Sequence, residues 1–294
     1  MADKMRLIIV SGLSGSGKTV ALRVLEDLGY YCVDNIPAAL LKAVVDEVRS
    51  GEHPTQLLAV GVDARNRRAD LEALPGIIEA IRKQGIQTEL VFLQASEEVL
   101  LKRYSESRRR HPLAAHGTAL RSAIEDEREV LAEVVNSADL IVDTSRLSIY
   151  ELATAIQERI DRRQAKSLSV LIESFGFKNG IPADADFVFD LRCLPNPYWT
   201  LKLRGLNGKD AQVVEFLESQ PVFIAMYEDI LAFLQRWIPE YNDAQRGYLT
   251  IGIGCTGGQH RSVCMAEKLV TALRNSHEPV LLRHSELGSD LLTQ

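Results

Sequence analysis

The sequence predicts an α/β protein with two parallel-sheet domains, an N-terminal one of the P-loop NTPase type and a smaller C-terminal one. Short, continuously apolar runs alternate with helical patterns, which is typical of a parallel sheet covered by helices on both faces. The loop GLSGSGKT at Gly12–Thr19 lies between the first apolar run and the first helical pattern. A second glycine-rich loop, CTGGQHRS at Cys255–Ser262, occupies an equivalent place near the C-terminus.

The first half of the chain contains five predicted strands, each dominated by apolar side chains. Helices are predicted at Lys18–Leu28, which Gly29 ends, and after Ser96, which caps the first turn. Ser148 and Glu151 form a capping box that opens a further helix. The strands are Leu7–Ser11, Tyr30–Val33, Leu57–Asp63, Glu89–Ala95 and Ala138–Thr144.

A charged stretch, DRRQAKS at Asp161–Ser167, interrupts this pattern. We expect it to link two domains spanning 1–163 and 168–294. Helices are predicted at Pro221–Trp237 and His260–Arg274, and the apolar face of the first indicates either core packing or a homo-oligomer contact. The remaining predicted strands are Leu168–Glu173, Phe187–Leu191, Tyr248–Gly254 and Val280–Arg283.

The composition is that of a soluble globular protein, with 46% hydrophobic and 25% charged residues in a chain of 294. The net charge of −6 does not favour nucleic acid, so RNA contact requires a local basic patch. The four cysteines form no C-x-x-C pair, which argues against a zinc site or a disulfide framework. No apolar run approaches the ~18 residues of a membrane helix. The N-terminus has only a four-residue apolar run before the glycine loop, shorter than the ~7–15 residues of a signal-peptide core, and we expect a cytoplasmic protein without membrane contact.

Residues 12–19 match the P-loop pattern G-x-x-x-x-G-K-[ST] in full, between a strand and a helix. The glycines let the backbone curl so that N–H groups point at a phosphate, and the helix N-terminus adds its positive end. Lys18 is predicted to reach the β- and γ-phosphates and Thr19 to bind Mg²⁺. The predicted ATP site comprises Gly12, Leu13, Ser14, Gly15, Ser16, Gly17, Lys18 and Thr19.

Three aspartates follow predicted strands and are candidates for the same site. Asp63 and Asp143 stand where P-loop enzymes place the carboxylate that supports the metal or its water. With Lys18 and Thr19 they form the predicted catalytic set. Asp34 stands where a substrate or base carboxylate is often found. Each of the three could equally cap the turn after its strand.

An arginine cluster, Arg103, Arg108, Arg109 and Arg110, precedes His111 near the end of a helical pattern. Arginine forks suit phosphate oxygens, so the cluster could form a lid over a nucleotide. An RNA-facing patch is a second interpretation. A solvated helix C-terminus, where cations are favoured, is a third.

The loop at Cys255–Ser262 has the same anion-binding features as the first loop. Two glycines free the backbone, a helix N-terminus supplies N–H donors, and an arginine supplies a guanidinium fork. The predicted anion-binding residues are Cys255, Thr256, Gly257, Gly258, His260 and Arg261. The spacing also satisfies C-x5-R-[ST], the loop of cysteine phosphatases, in which the cysteine is the nucleophile. Gly254 replaces the histidine usual before that cysteine, and Asp186 and Asp190 are the general-acid candidates. A purely structural glycine-rich connection is the third interpretation.

Both loops stand in order on one chain with several characteristic blocks around them. Over essentially its full length the chain resembles the RapZ/YvcJ family of bacterial P-loop nucleotide-binding proteins. The blocks are ALRVLEDLGYYCVDNIP at Ala21–Pro37, DARN at Asp63–Asn66, RRRHPL at Arg108–Leu113, DLIVDTS at Asp139–Ser145 and ESFGFKNGIPADADFVFDLRCLPNPYW at Glu173–Trp199.

The resemblance implies a kinase-like N-terminal domain with weak ATPase and GTPase activity and Mg²⁺ as the companion of ATP or GTP. It implies a GTP site at the DARN segment, Asp63, Ala64, Arg65 and Asn66. A Walker-B aspartate with a turn explains the same residues, so ATP and GTP could share one site. It also implies a regulatory C-terminal domain that senses glucosamine-6-phosphate, a phosphometabolite, at Cys255–Arg261. In the adapter branch of the family, this domain binds RNA and directs it to an endoribonuclease.

One departure concerns the C-terminus. Adapter-branch proteins end in a run of lysines and arginines, whereas this chain has neither after Arg283. This departure argues against the RNA-adapter role, although Lys178, Lys202, Arg204 and Lys209 could build a basic patch elsewhere. A small-molecule kinase, a nucleotide-binding protein without turnover and a cysteine phosphatase remain alternatives.

Overall fold

The computed structural model describes residues 5–50, 55–107, 110–114, 119–160, 168–244 and 246–287. The chain divides into two compact units, Met1–Asp161 and Arg162–Gln294. Each unit contains one parallel sheet with helices, so the predicted α/β fold class is confirmed. The predicted linker, Asp161–Ser167, lies outside the described residues.

The N-terminal unit is built on a five-stranded sheet. Its strands are β1 (Arg6–Gly12), β2 (Tyr31–Val33), β3 (Leu57–Gly61), β4 (Gln87–Gln94) and β5 (Leu140–Asp143). They lie in the order β2-β3-β1-β4-β5, all parallel. Its helices are α1 (Lys18–Asp27), α2 (Leu41–Ser50), α3 (Arg68–Lys83), α4 (Glu97–Ser107), α5 (Leu120–Val130), α6 (Ala132–Asn136) and α7 (Ile149–Ile160).

Strand β1 occupies the centre of this sheet because Leu7, Ile8, Ile9 and Val10 are completely buried and pack on both faces. It pairs with β3 on one side and with β4 on the other, so the carboxyl ends of three strands meet at one edge. Open parallel sheets bind ligands at this edge. The glycine loop that follows β1 is therefore where the topology places a binding site.

The C-terminal unit has a four-stranded sheet in the order β7-β8-β6-β9, also all parallel. The strands are β6 (Ser169–Gly176), β7 (Phe187–Asp190), β8 (Tyr248–Cys255) and β9 (Val280–His284). The helices are α8 (Ala211–Glu218), α9 (Pro221–Asp243) and α10 (Arg261–Leu273). The second glycine loop joins β8, a fully buried strand, to α10.

All nine predicted strands are present, with small shifts at their ends. Strand β3 stops at Gly61 instead of Asp63 because the Asp63 carboxylate accepts the N–H of Arg65 and turns the chain. The predicted capping box of α7 is confirmed: the N–H of Glu151 lies 3.2 Å from Ser148 Oγ, and that of Ser148 lies 2.7 Å from Glu151 Oε2. Helix α9 continues beyond the predicted end to Asp243. Helices α2, α3, α5, α6 and α8 have no counterpart among the predicted elements.

Within the described residues, no helix combines the length and the apolar character needed to cross a membrane.

Candidate anion-binding sites

The first glycine loop, residues 12–19, has a backbone path that requires its glycines. A Cβ on Gly12 would stand 2.1 Å from a carbonyl oxygen of β4, so no side chain fits there. Gly15 and Gly17 have φ values of +88° and +108°, a left-handed conformation that glycine adopts without strain. The loop therefore presses against β4 and then turns sharply into α1.

Four backbone N–H groups in this loop, those of Gly15, Gly17, Lys18 and Thr19, have no acceptor among the described residues. The first N–H groups of a helix lack an intrahelical partner, and here the preceding turn adds two more donors. Such a set, together with the positive end of the helix, is suited to bind an anion.

Lys18 folds back over the loop, and its Nζ donates to the carbonyl oxygen of Gly12 at 2.6 Å. Burial lowers the pKa of Lys18. Three carboxylates, those of Glu127, Asp63 and Asp34, act in the opposite direction. Burial outweighs the carboxylates, so the pKa of Lys18 stays below its ordinary value.

The DARN segment is held together largely by its own contacts. Asp63 is buried, and its carboxylate accepts the N–H of Arg65 at 3.0 Å and the Arg65 guanidinium at 2.5 and 2.9 Å. The Asn66 side chain accepts the N–H of Ala38 at 2.6 Å and donates to the carbonyl oxygen of Ile36 at 3.4 Å. The segment thus holds the turn after β2 in place through Asn66. It affects the P-loop lysine through the charge of Asp63.

The other two candidate carboxylates differ in their surroundings. Asp34 lies against Gly61, where a Cβ would stand 2.2 Å from the Asp34 Oδ1 atom, and its charge acts on Lys18. Asp143 accepts the N–H and the hydroxyl of Ser145 at 2.8 and 2.5 Å, as a residue that caps a turn does. The charges of Asp34 and Asp63 raise the pKa of Lys18, whereas Asp143 has a local partner.

Arg103 of the arginine cluster contacts the P-loop directly. Its Nη1 donates to the carbonyl oxygen of Gly15 at 3.0 Å, and its Nη2 donates to that of Thr144 at 2.7 Å. Thr144 Oγ1 also lies 2.9 Å from the carbonyl oxygen of Ser16. The two residues fasten the outer turn of the loop. Arg110 is exposed, and Arg108 and Arg109 lie outside the described residues.

Glu127 on α5 is the main site residue with no counterpart among the predicted ones. It is fully buried, and its carboxylate accepts the N–H of Ser14 at 2.8 Å and the hydroxyl of Ser14 at 2.6 Å. His111 Nε2 lies 3.1 Å from the same carboxylate. Burial raises the pKa of Glu127, but the hydrogen bonds from His111 and Ser14 and the charge of Lys18 hold it below its ordinary value. The only sign of it in the sequence is an acidic residue on the apolar stripe of an amphipathic helix.

The second glycine loop is organised around the thiol of Cys255. Its Sγ accepts the N–H of Gly258 at 3.2 Å and lies 3.2 Å from the hydroxyl of Ser262. Burial raises the pKa of Cys255, but these hydrogen bonds and the charge of Arg261 hold it below its ordinary value. Gly258 is packed so closely that a Cβ would stand 2.3 Å from the side chain of Glu286.

The side chains of Arg261 and His260 in this loop point to carbonyl groups of the protein. Buried Arg261 donates through Nη1 to the carbonyl oxygens of Leu194 at 2.8 Å and Arg192 at 3.2 Å, and through Nη2 to Thr256 Oγ1 at 3.3 Å. His260 Nε2 lies 3.2 Å from a further backbone carbonyl oxygen. The open part of the loop is at Thr256, which is exposed, and at Gly257, where a Cβ would meet nothing within 4 Å.

The two general-acid candidates near this loop are engaged elsewhere. The Arg192 guanidinium binds Asp190 at 2.7 to 3.0 Å and holds the pKa of that carboxyl below its ordinary value. Asp186 accepts the N–H of Thr250 at 2.8 Å and the Arg246 guanidinium at 3.0 Å. Neither carboxylate is placed to donate a proton beside Cys255.

The four basic residues predicted for RNA contact, Lys178, Lys202, Arg204 and Lys209, are all exposed. The Arg204 guanidinium lies 4.7 Å from the ring centre of Tyr198.

Comparison with known proteins was made on both halves of the chain. Residues 5–164 match the RapZ-like N-terminal domain, and residues 168–288 match the RapZ C-terminal domain. A nucleotide-binding protein of Chromohalobacter salexigens is 50% identical over 97% of this chain and 96% of its own length. Another from Hahella chejuensis is 46% identical over 97% of this chain and 100% of its own length.

A solved structure of shikimate kinase from Acinetobacter baumannii, in complex with shikimate, is a distant likeness. It is 20% identical, covers 54% of this chain and 94% of its own, and has a TM-score of 0.36. The two domain matches and the full-length relatives confirm the resemblance that the motifs indicated: the chain belongs to the RapZ family.

Proposed function

We propose that the N-terminal unit binds ATP with Mg²⁺ at Gly12–Thr19 and hydrolyses it slowly. The observation that carries this proposal is the set of four N–H groups, at Gly15, Gly17, Lys18 and Thr19, that have no acceptor among the described residues. Phosphate oxygens satisfy such donors at a helix N-terminus. The proposal agrees with the name of the full-length relatives, which are called nucleotide-binding proteins.

The side chains around the loop fit a nucleotide that carries Mg²⁺. The Thr19 side chain is exposed at the start of α1, where its hydroxyl can join a metal ion that keeps most of its waters. Bound Mg²⁺ would neutralise charge on the phosphate oxygens. Lys18 would exchange the carbonyl oxygen of Gly12 for phosphate oxygens. Asp63, fixed by Arg65, is better placed than Asp143 to orient a water near the lysine.

We further propose that GTP uses the same site as ATP. The polar groups of the DARN segment are largely bound to one another and to the turn after β2. Its remaining influence, the charge of Asp63, is exerted on Lys18. A single site in which Asp63 serves either nucleotide accounts for both observations.

The test is calorimetric titration of Mg²⁺-ATP into the full chain, followed by a turnover assay and by GTP competition. Lys18→Ala should lower turnover by about 100-fold, since charge stabilisation of the transferring phosphoryl group is lost. Lys83→Ala, which removes an exposed lysine at the end of α3, is the matched control. Unchanged binding and turnover in Lys18→Ala would contradict the proposal. Independent binding of GTP to ATP-saturated protein would contradict the shared site, and turnover that depends on one acceptor would indicate a kinase.

For the C-terminal unit we propose a regulatory site for a sugar phosphate, glucosamine-6-phosphate, at the open part of the second loop. The N–H of Gly258, the hydroxyl of Ser262 and the charge of Arg261 lower the pKa of the Cys255 thiol, and a loop that stabilises negative charge supports an anion site. Titration of this ligand into the full chain should give saturable binding that Gly257→Val abolishes. Gly205→Val, also at a glycine with open space around it, is the control.

RNA contact and self-association remain predictions for the same unit. The exposed residues Lys178, Lys202, Arg204 and Lys209 are the surface on which RNA binding would be tested by charge reversal. Val222 and Trp237 are the partly exposed apolar side chains of α9 for a test of oligomeric state.

A further inference from the structure

Glu127 brings a negative charge into the P-loop from within the protein. Its carboxylate is completely buried and bonds to both the N–H and the hydroxyl of Ser14, the third residue of the loop. Among the charges that act on Lys18, it is the strongest of opposite sign. A carboxylate thus occupies part of the surroundings that a P-loop offers to phosphate.

We propose that Glu127 is an internal anion of the P-loop that the terminal phosphate of a triphosphate must displace. The inference rests on the proposed nucleotide site. It assigns Glu127 as the residue that distinguishes a nucleoside triphosphate from a diphosphate.

The distinction follows from where the donors lie. The N–H groups without acceptors, at Gly15, Gly17, Lys18 and Thr19, are at the helix end of the loop. P-loop amides cradle the inner phosphates, and the lysine reaches the outer ones. A diphosphate can therefore use those amides while Glu127 keeps Ser14. A third phosphoryl group brings further negative charge to Lys18, where the charge of Glu127 already acts. The two negative charges repel each other.

Displacement of Glu127 would be transmitted to the segment around residues 110–114. His111 is buried, and its Nδ1 accepts the N–H of Leu113 at 3.2 Å, so a neutral ring carries its proton on Nε2. That Nε2–H is the donor to Glu127. The ring of Tyr104 packs at 5.3 Å from the ring of His111, and Tyr104 also hydrogen-bonds to the Ser14 side chain. The Glu127 carboxylate on α5 is thus connected to His111 directly and to Tyr104 through the Ser14 side chain. Movement of this carboxylate away from Ser14 would change all of these contacts.

A simpler role is also compatible with these contacts, namely that Glu127 acts only as a pin, which means that its hydrogen bonds to Ser14 hold the loop in place. The substitution Glu127→Gln separates the two roles. One oxygen of the amide can still accept from Ser14 N–H and His111 Nε2–H, and its NH₂ can face the rotated hydroxyl of Ser14. The pin is then kept and only the charge is removed. Glu125→Gln, an exposed neighbour on α5, removes the same charge without touching the loop.

The experiment measures the affinity of the full chain for Mg²⁺-ADP and for the β,γ-imido analogue of Mg²⁺-ATP, in wild type and both variants. Glu127→Gln should bind the triphosphate analogue about tenfold more tightly than wild type, with a much smaller change for ADP. Glu125→Gln should leave both affinities unchanged. An equal change for the two nucleotides in Glu127→Gln, or a weaker triphosphate affinity, overturns the proposal and leaves Glu127 as a pin.

A second measurement uses the wild-type protein, so that the proposal is decided even if Glu127→Gln does not fold. Amide hydrogen exchange in Leu120–Val130 should be faster with the triphosphate analogue than with ADP, because displaced Glu127 no longer fastens α5 to the loop. Equal exchange with the two nucleotides overturns the inference while the nucleotide site stands. Failure of wild type to bind either nucleotide overturns the proposed function and this inference together.

Discussion

The glycine loop after β1 and the glycine loop after β8 both lead from a buried parallel strand into the N-terminus of a helix, yet they use their charged residues in opposite ways. In the first loop the cation, Lys18, is attached to one carbonyl of the loop itself and lies among carboxylates. In the second, the cation, Arg261, donates hydrogen bonds to three carbonyl oxygens of the neighbouring segment at residues 191–194. The acidic groups are placed differently as well, since Glu127 reaches the first loop from another helix, whereas the Cys255 thiol belongs to the second loop.

The difference shows that a shared strand–loop–helix pattern does not by itself define a ligand site. The first loop leaves four N–H groups without an acceptor among the described residues, and one contact with its own backbone holds its lysine. The second loop commits its arginine to holding the chain and leaves only its Thr256–Gly257 part open. We therefore expect substitution of the cation in the first loop to affect ligand binding most, and substitution of the cation in the second loop to affect stability most.

The largest expected effect comes from adding one methyl group to each loop. Gly12→Ala would drive Cβ into the backbone of β4, so we expect a loss of about 3 kcal/mol or more in the free energy of unfolding. Gly257→Ala points into open space and should change it by less than about 0.5 kcal/mol. Urea unfolding of both variants measures the contrast, and a stable Gly12→Ala protein would show that β1 and β4 can separate.

The second effect concerns the two cations. Arg261→Ala removes three donor contacts to buried carbonyl oxygens and should cost about 3 kcal/mol. Lys18→Ala removes one such contact and should cost about 1 kcal/mol. Arg261→Lys should not restore stability, since an ammonium group cannot reproduce the fork. Thermal unfolding without ligand tests this. An Arg261→Ala protein as stable as wild type would mean that the arginine is free to bind an anion.

The smallest effect distinguishes the hydroxyl groups of the loops. Ser262→Ala and Ser16→Ala each lose one hydrogen bond, to Cys255 Sγ and to the carbonyl oxygen of Leu13, and each should cost about 1 kcal/mol. Only the first loss should depend on pH. The native pKa of Cys255 lies below its ordinary value of 9.0, so the thiolate contributes stability that is full above 9.0 and declines as the pH falls through the native pKa.

The stability gap between wild type and Ser262→Ala should therefore widen as the pH rises towards 9.0, and the gap for Ser16→Ala should stay constant. Burial raises the pKa of Cys264 to about 12, so its contribution to stability has the opposite sign. Cys264 is present in wild type and in both variants, so its contribution cancels from each gap. A constant gap for both serine variants would mean that Ser262 does not support the thiolate.

The strands were predictable because those at the centre of each sheet are buried on both faces, so an uninterrupted apolar run identifies them. The P-loop was predictable because its glycines and lysine are local in sequence. Glu127 was not, since only its place on the apolar stripe of α5 distinguishes it from Glu125 or Glu129, and its role emerges when α5 packs against the loop. The partners of Arg261 were hidden in the same way, because an arginine after a glycine loop is compatible with a phosphate or with protein carbonyls until the fold supplies one of them.

The central position of β1 also sets the order in which the molecule can become competent during synthesis. The first glycine loop leaves the ribosome early, but its shape depends on Leu93, Glu127 and Thr144, which are translated long afterwards. Leu152 follows even later, and it packs where a Cβ on Gly17 would stand. A nascent chain that ends before α5 therefore carries the complete P-loop sequence without the contacts that Glu127 and Thr144 make with the loop. The motif is thus local in sequence, but the shape of its loop depends on residues from most of the N-terminal unit.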